Sequence, residues 1–285
     1  MVRRSTQVLV AVLFACRGEP APARRAAPQP LTLRAPDEVL VDQHARGDAL
    51  VGRVLPVPEN SDADRALLVR WLSRTGEEPW RFQGVPVLEA RFLQGAEGVL
   101  VLSTAHVLLR LDAPGAEPVT LDRAVHGPLS LDARGATVVY TRGDPPELQV
   151  VRAGVASGAL EALAPGLVPS WCPTLAPDGR EVLLVASSDG TPAFYRLREG
   201  AAPARWALRA DTPLPTGPTA PVVFGDALVY ESDGALVSLG LDGVLRGRLA
   251  GVGLPVLVPG AAAVLTQDAQ RGVTARSLRD LEGTR

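Results

Sequence analysis

The stretch that decides the fold is residues 173–197, which read PTLAPDGREVLLVASSDGTPAFYRL. A short apolar strand leads into Pro177-Asp178-Gly179, where proline presets φ for a turn and glycine accepts the positive φ that closes it. An apolar strand follows, then a second Asp-Gly turn, then a third strand that carries adjacent aromatic residues. Three antiparallel strands joined by two tight turns make up most of a four-stranded blade.

The same order of strands and turns recurs on both sides of this stretch, at a spacing of about 40 residues. Weaker copies span residues 129–152 and 87–111 upstream, and two more lie around residues 222–230 and 256–265 downstream. Such a period is typical of propeller blades. Residues 37–85 supply four further apolar runs, which are enough for one more blade.

Helix is the minority state, because no segment keeps a 3.6-residue apolar period for longer than about two turns. We therefore predict an all-β fold: a single β-propeller with six blades of about four antiparallel strands each. We also expect one terminus to lend a strand to the last blade, since ring closure of this kind removes two open sheet edges.

The central copy resembles the WD40-like repeat of TolB-type β-propellers. The resemblance rests on residues 176–179 (Ala-Pro-Asp-Gly), the downstream Ser188-Asp189-Gly190 and the pair Phe194-Tyr195. Ala176 replaces the usual serine, and Trp171 lies a few residues earlier than the family's tryptophan. The other copies keep the strand pattern and lose the motif. Over residues 86–285 the resemblance implies a propeller fold far more strongly than it implies a role.

The amino-terminal segment has the pattern of an export signal. Arg3 and Arg4 precede the short apolar run 8–15, and a permanent bilayer span would need about 18 or more apolar residues. The run ends in Leu-Phe-Ala-Cys, which resembles the lipobox of bacterial lipoproteins, with Phe14 bulkier than usual. The resemblance implies a signal peptide over residues 1–15 and a lipid anchor on Cys16.

Two other interpretations of this segment stay open. Cleavage after Ala21-Pro22-Ala23 would release a secreted form without lipid, and Cys16 could be a buried cysteine without chemistry. Residues 16–36 are rich in Pro, Ala and Arg and read as a semi-rigid tether. The propeller then occupies residues 37–285. By family analogy, Arg17 after the cysteine favours the outer membrane, facing the periplasm or the cell surface.

Composition excludes several classes of function. The net charge is −2 and the pI is near 6.0, which argues against nucleic acid as the main partner, because neutralising phosphates requires a basic face. The chain contains no lysine, so it has neither a Walker-type phosphate-binding lysine nor a Schiff-base lysine. A Gly-x-Ser-x-Gly nucleophile elbow is also missing from the sequence.

Side chains that could carry chemistry are few and scattered. We interpret His44, His106 and His126 as surface residues, because none has metal spacing to another. Cys172 is expected to be a small core residue. Recurrent aspartates beside glycines are expected to serve turn geometry rather than calcium, and the tryptophans to pack between blades. The aspartates are Asp178, Asp189, Asp226, Asp233 and Asp242, and the tryptophans are Trp71, Trp80, Trp171 and Trp206.

The sequence therefore predicts no catalytic residues, no cofactor and no metal site. We expect an envelope lipoprotein whose propeller face or central channel binds a partner protein of unknown identity. A carbohydrate-active lyase or hydrolase is the alternative, and a mere spacer is a third possibility. Three or more ionisable side chains within hydrogen-bond reach at the mouth of the channel would favour the enzyme.

Overall fold

The computed structural model describes residue 33 and residues 37–56, 66–83, 86–217, 219–257, 263–268 and 272–282. Cys16, the signal peptide and nearly all of the tether lie outside these described residues. Within them the chain is all-β apart from one short helix, as predicted. No helix in the described part is long and apolar enough to cross a membrane.

The strands fall into successive antiparallel blades along the chain. Blade 1 contains β1 (Glu38–Gln43), β2 (Ala49–Leu55), β3 (Ala66–Leu72) and β4 (Trp80–Arg81); blade 2 contains β5 (Val87–Phe92), β6 (Val99–Ser103), β7 (Val107–Leu111) and β8 (Val119–Arg123); blade 3 contains β9 (Val125–Leu131), β10 (Thr137–Arg142), β11 (Gln149–Gly154) and β12 (Leu160–Ala162). Blade 4 contains β13 (Ser170–Leu175), β14 (Glu181–Ser187), β15 (Pro192–Arg198) and β16 (Ala204–Arg205); blade 5 contains β17 (Val222–Phe224), β18 (Ala227–Ser232), β19 (Ala235–Gly240) and β20 (Leu245–Ala250); blade 6 contains β21 (Val252–Leu257), β22 (Val264–Asp268) and β23 (Val273–Arg276), followed by α1 (Leu278–Glu282).

Hydrogen bonding separates these blades from one another. Blades 3, 4 and 5 are separate four-stranded sheets, and blade 6 is a three-stranded sheet. Blades 1 and 2 share one eight-stranded sheet, but β3 and β5 are joined only at the pair Leu67 and Val87. The described strands therefore divide into six blades around a ring, each beginning with its innermost strand.

The hydrophobic core lies between blades rather than within them. Each of the six clusters of buried apolar residues draws on two neighbouring blades. The cluster between blades 6 and 1 joins Leu40 and Val51 to Val256 and Leu265, so first and last blades pack together and the ring closes. A single blade would leave both faces of its sheet exposed to water, so blades are stable only when stacked.

The turns form as the sequence indicates. Gly179 has a φ of 75°, and the carboxylate of Asp178 accepts the backbone N–H of Arg180 at 3.0 Å. Asp189 and Asp242 accept the N–H two residues further on in the same way, each at 3.1 Å. Side-chain oxygens that bond forward along the chain favour turns over continued strands.

A ring of hydrogen bonds links the innermost strand of each blade to the blade before it. Apart from the single pair Leu67 and Val87 between β3 and β5, every innermost strand has one edge without a partner strand. A polar side chain of the preceding blade bonds to the main chain there or, at Pro221, one residue before the strand begins. The six bonds are Phe92 N to Asp42 Oδ2 (2.7 Å), Leu129 N to Glu89 Oε2 (2.8 Å), Leu175 N to Ser130 Oγ (2.9 Å), Thr174 Oγ1 to the Pro221 carbonyl (3.1 Å), Leu254 N to Glu231 Oε2 (3.1 Å) and Leu40 N to Gln267 Oε1 (3.3 Å).

Ring closure differs from the expected exchange of a strand. Among the described residues, all strands of blade 6 come from the end of the chain, and blade 1 takes its four strands from residues 38–81. Gln267 joins the two blades instead. Its amide accepts the N–H of Leu40 and donates to the carbonyl of Glu38, both at 3.3 Å. Hydrophobic packing between blades 6 and 1 supplies the stabilisation that a shared sheet would otherwise supply.

We expect Gln267→Ala to lower the free energy of unfolding by about 2 kcal/mol, because two buried main-chain groups lose their partner. Gln149→Ala, at the half-buried start of β11, is the control and should cost less than about 0.5 kcal/mol. Urea denaturation of both variants measures the difference. Equal losses in the two variants would show that Gln267 has no special part in ring closure.

Candidate functional site

A cavity of about 350 Å³ lies where the six innermost strands end. We call it the axial mouth. Its wall includes Asp42 of β1, Arg91 of β5 and Leu129 of β9, with Thr174 of β13, Val223 of β17 and Leu257 of β21. All six blades thus contribute to one opening on the ring axis. The volume is at the lower end of the range found for ligand sites.

The wall of the axial mouth has an apolar side and a polar side. Blades 3 to 6 supply mainly aliphatic and aromatic groups, among them Leu175, Val223 and Phe224. Blades 1 and 2 supply Asp42, Arg91 and Gln94 from adjacent positions in the ring. A ligand in this cavity would therefore meet apolar surface on one side and hydrogen-bonding or charged groups on the other.

Three buried charged side chains form the polar side and its support. Arg91 is only 7% exposed, and its Nε and Nη2 lie 2.8 Å from Glu89 Oε1. Its Nη1 lies 3.8 Å from Oδ1 of Asp42, which is an ion pair but too long for a hydrogen bond. Glu89 and Arg91 are two residues apart on β5, so their side chains leave the strand on the same face.

Burial decides the acid–base behaviour of Asp42. Removal from water raises the pKa of Asp42 to about 6, although Arg91 and the N–H of Phe92 stabilise the ionised form and oppose the shift. Arg91 behaves in the opposite way. Burial disfavours its charge, but Glu89 and Asp42 outweigh that effect and raise the pKa of Arg91. The guanidinium therefore stays charged while Asp42 titrates near neutral pH.

Most polar atoms of this cluster are already engaged in holding the ring together. Glu89 Oε2 accepts the N–H of Leu129, and Asp42 Oδ2 accepts the N–H of Phe92. The atoms left to face the axial mouth are Oδ1 of Asp42 and Nη1 of Arg91. Of the three charged residues, Asp42 and Arg91 line the cavity and Glu89 supports them from behind.

The sequence did not single out any of these three residues. They belong to no motif, and they lie in short strands whose other residues are mainly apolar. The one available signal was the pattern of β5, in which Glu89 and Arg91 interrupt the run from Val87 to Phe92 on the same side. Charged residues in a strand that is buried throughout require partners, and here those partners lie in neighbouring blades.

The prediction for the histidines was partly wrong. His44 is buried at 4% exposure and its ring packs edge-on against Phe92, so it is not a surface residue. His106 and His126 are half-buried between blades 2 and 3, with ring centroids 4.5 Å apart and ring planes tilted by 40°. Burial and the neighbouring His106 lower the pKa of His126. The two residues are 20 positions apart, His106 in the turn between β6 and β7 and His126 on β9, so their spacing in the sequence could not reveal the contact.

Other predicted roles agree with the structure. Trp71, Trp80 and Trp206 are buried in clusters between blades, and Trp171 packs against one of these clusters. Cys172 is a free thiol, half-buried beside the cluster of blades 4 and 5, and burial raises its pKa to about 12. A thiol with so high a pKa is a poor nucleophile.

Two of the recurrent aspartates meet at one arginine, since Asp226 and Asp242 both pair with Arg246, at 2.7 and 3.7 Å. Asp178, Asp189 and Asp242 cap their own turns. In the part of the chain that the structure describes, no three His, Cys, Asp or Glu side chains are grouped so as to hold a metal ion.

The comparisons with known proteins show similarity of fold. No family model and no curated protein matches the chain. Similar solved structures include hydrazine synthase of Kuenenia stuttgartiensis (TM-score 0.57, 12% identity, 87% of this chain and 97% of that one). A TolB of Agrobacterium tumefaciens (0.51, 16%, 84% and 79%) and an oligogalacturonate lyase in complex with manganese (0.52, 12%, 85% and 78%) are also similar. At such identities the similarity confirms the propeller fold with TolB-like neighbours and carries no function over.

We expect the stability of the protein to depend on pH through Asp42. Because its pKa is raised from 3.8 to about 6, the native state binds a proton more tightly than the unfolded state does. The contribution of protonated Asp42 to the free energy of unfolding is complete below the pKa that the group has in the unfolded state. It is lost as the pH rises through about 6. From about pH 4 to about pH 7, wild type should lose about 2 kcal/mol relative to Asp42→Asn.

Chemical denaturation of both proteins at a series of pH values measures this difference. Asparagine keeps an oxygen that accepts the N–H of Phe92, so the ring bond of blades 1 and 2 is retained. A stability difference that stays constant over this pH range, or that changes with the opposite sign, would show that burial does not control the ionisation of Asp42.

Proposed function

We propose that this protein is a lipid-anchored envelope protein whose propeller binds a partner protein at the axial mouth. The observation that carries the proposal is the cavity itself. It is one opening to which all six blades contribute, and apolar groups dominate its wall. Cavities that are mostly apolar with a few convergent polar groups are the usual binding sites of globular proteins.

The direction of β1 supports access for a partner. This innermost strand runs from Glu38 to Gln43, and Asp42 near its end lines the axial mouth. The chain therefore enters the ring on the face opposite the mouth. With a lipid anchor on Cys16, the tether would hold that opposite face toward the membrane and present the mouth to the surrounding compartment.

The groove beyond the axial mouth extends the surface available to a partner. Gln94 and Ala133 line both the mouth and a neighbouring pocket formed by His44, Arg46 and Glu97. Arg46 and Glu97 in turn border a third pocket between blades 1 and 2. The hollow surface thus continues from the axis toward the rim, as an extended segment of a partner would require.

Lipidation of Cys16 is testable in the native host. Globomycin blocks removal of lipoprotein leaders, so treated cells should accumulate a heavier form that retains residues 1–15. Cys16→Ser should shift the protein from the membrane fraction to the soluble fraction, because the acyl chains contribute about 0.8 kcal/mol per buried methylene. An unchanged mature mass in treated cells and unchanged fractionation of Cys16→Ser would refute the anchor.

We expect a bulky side chain at the rim of the mouth to abolish capture of the partner. Ala133 is exposed and lines the cavity, whereas Ala136 is exposed in the same turn and does not line it. Cross-linking in the native envelope, followed by mass spectrometry, measures the yield of the cross-linked complex. In Ala133→Trp this yield should fall about tenfold. Ala136→Trp is the matched control and should retain it. Equal yields in both variants would exclude the mouth as the binding site.

A carbohydrate-active lyase or hydrolase is the second candidate. The raised pKa of Asp42 favours it, because a general base works best when its pKa lies near the operating pH. Against it, three ionisable side chains, Asp42, Arg91 and Asp132, line the cavity, but Arg91 Nη1 lies 3.8 Å from Asp42 Oδ1, which is beyond hydrogen-bond reach. Cleavage of polygalacturonate by wild type and not by Asp42→Asn would favour this candidate over the first.

A further inference from the structure

We propose that the axial mouth selects a basic side chain, arginine or lysine, from an exposed segment of the partner protein. The inference rests on the proposed function and specifies its ligand chemistry. Such a side chain has an aliphatic stem that ends in a cation, and the two sides of the cavity match these two parts.

The apolar side of the mouth accommodates the stem. Leu129, Leu175, Val223 and Leu257 come from four different blades and line one continuous wall. Methylene groups of arginine and lysine pack well against such surfaces while the charged head stays with polar groups. A short polar side chain would leave this wall in contact with water.

The charges around the mouth favour a cation over an anion. Asp42 and Asp132 line the cavity with one guanidinium, that of Arg91, and the carboxylate of Glu89 lies directly behind it. The lining and its immediate support thus hold three carboxylates and one guanidinium. Because the site is largely removed from water, this excess of negative charge acts more strongly on a ligand than it would at an exposed surface.

Asp42 has an oxygen available for the incoming group. Its Oδ2 accepts the N–H of Phe92 at 2.7 Å, the carboxylate also interacts with the N–H of Gln43, and Oδ1 forms the ion pair with Arg91 at 3.8 Å. A guanidinium or ammonium group could donate a charge-assisted hydrogen bond to Oδ1. In the same way, Asp132 uses Oδ1 for the N–H groups of Ala136 and Thr137 and leaves Oδ2 for a ligand.

The pH dependence of binding follows from the same groups. A bound cation stabilises ionised Asp42, so binding releases a proton when the pH is below about 6. The groups that act on Asp42 are Arg91 and Glu89 of β5, and Asp132 also faces the cavity from the loop after β9. Affinity for a basic side chain should therefore rise as the pH increases through about 6.

The occupant is assigned to another protein because of chain geometry. The amino-terminal segment contains arginines, but β1 begins on the opposite face of the ring, away from the mouth. A second copy of this chain would have to bring a basic group into a mouth that, on an anchored protein, points away from the membrane. An exposed segment of a different protein can approach without either constraint.

The test uses the full mature chain and two matched peptides. One probe is acetyl-Ala-Ala-Arg-Ala-Ala-amide, and the other has citrulline, which is nearly isosteric with arginine but uncharged, in its central position. Methyl NMR titration reports both the affinity and the location, through the leucine and valine methyl groups of the mouth. We expect the arginine peptide to bind at least about tenfold more tightly and to perturb Leu129 and Val223.

Two variants separate charge from shape. Asp42→Asn should remove the preference for arginine while keeping the ring bond to Phe92, and Asp48→Asn, at the rim between blades 1 and 2, should keep the preference. Equal affinity of the two peptides for wild type, an unchanged preference in Asp42→Asn, or perturbations outside the mouth would overturn the proposal. Self-association of the wild-type protein that Asp42→Asn abolishes would likewise overturn it, by showing that the occupant is a second copy.

Failure of this proposal is distinguishable from failure of the proposed function. If neither peptide binds but Ala133→Trp still loses the cross-linked partner, a partner binds at the mouth through other chemistry and only the present inference is wrong. If Ala133→Trp keeps the partner as well, the mouth is not the binding site and both proposals are wrong.

Discussion

The unpaired edge of each innermost strand is the constraint on which the rest of the structure depends. A main-chain N–H or carbonyl that is buried without a partner costs free energy comparable to a lost hydrogen bond. Each blade meets this requirement with a side chain from its neighbour, so every blade depends on the one before it. The last such bond, from Gln267 to blade 1, makes the dependence circular.

The same constraint explains why charge is buried at the centre of an otherwise apolar molecule. Asp42 and Glu89 are placed to accept the N–H groups of Phe92 and Leu129, and Arg91 balances them. Because the carboxylates are held away from water, burial raises the pKa of Asp42. The chemistry of the axial mouth is therefore a consequence of how the ring is closed, and a ligand-binding role uses groups that the fold requires in any case.

Hydrophobic packing likewise depends on every blade being present in the ring. The six apolar clusters lie between neighbouring blades, so removal of one blade would expose two of them. This arrangement permits great variation in sequence, because any apolar residues of suitable size can fill a space between two sheets. Only blade 4 keeps the Pro-Asp-Gly motif, and the other blades form similar sheets without it.

Sequence alone determined the strands, the turns and the repeat, because these depend on local chemistry. Each of these features can be recognised from one segment of the sequence at a time: apolar runs indicate strands, proline and glycine indicate turns, and a period of about 40 residues indicates blades. The boundaries of blade 1 and the turn at Gly179 accordingly agree with the sequence-based expectation. The lipid anchor on Cys16 is also a sequence-based prediction, and it lies outside the described residues.

Tertiary structure alone decided the site. Asp42 and Arg91 are 49 positions apart in the chain, and His106 and His126 meet between two blades. Whether such residues meet depends on the angle and order of whole sheets, for which no local pattern exists. The burial of His44 and the contact of Gln267 with blade 1 have the same cause, because both depend on contacts between blades that form only when the ring is complete.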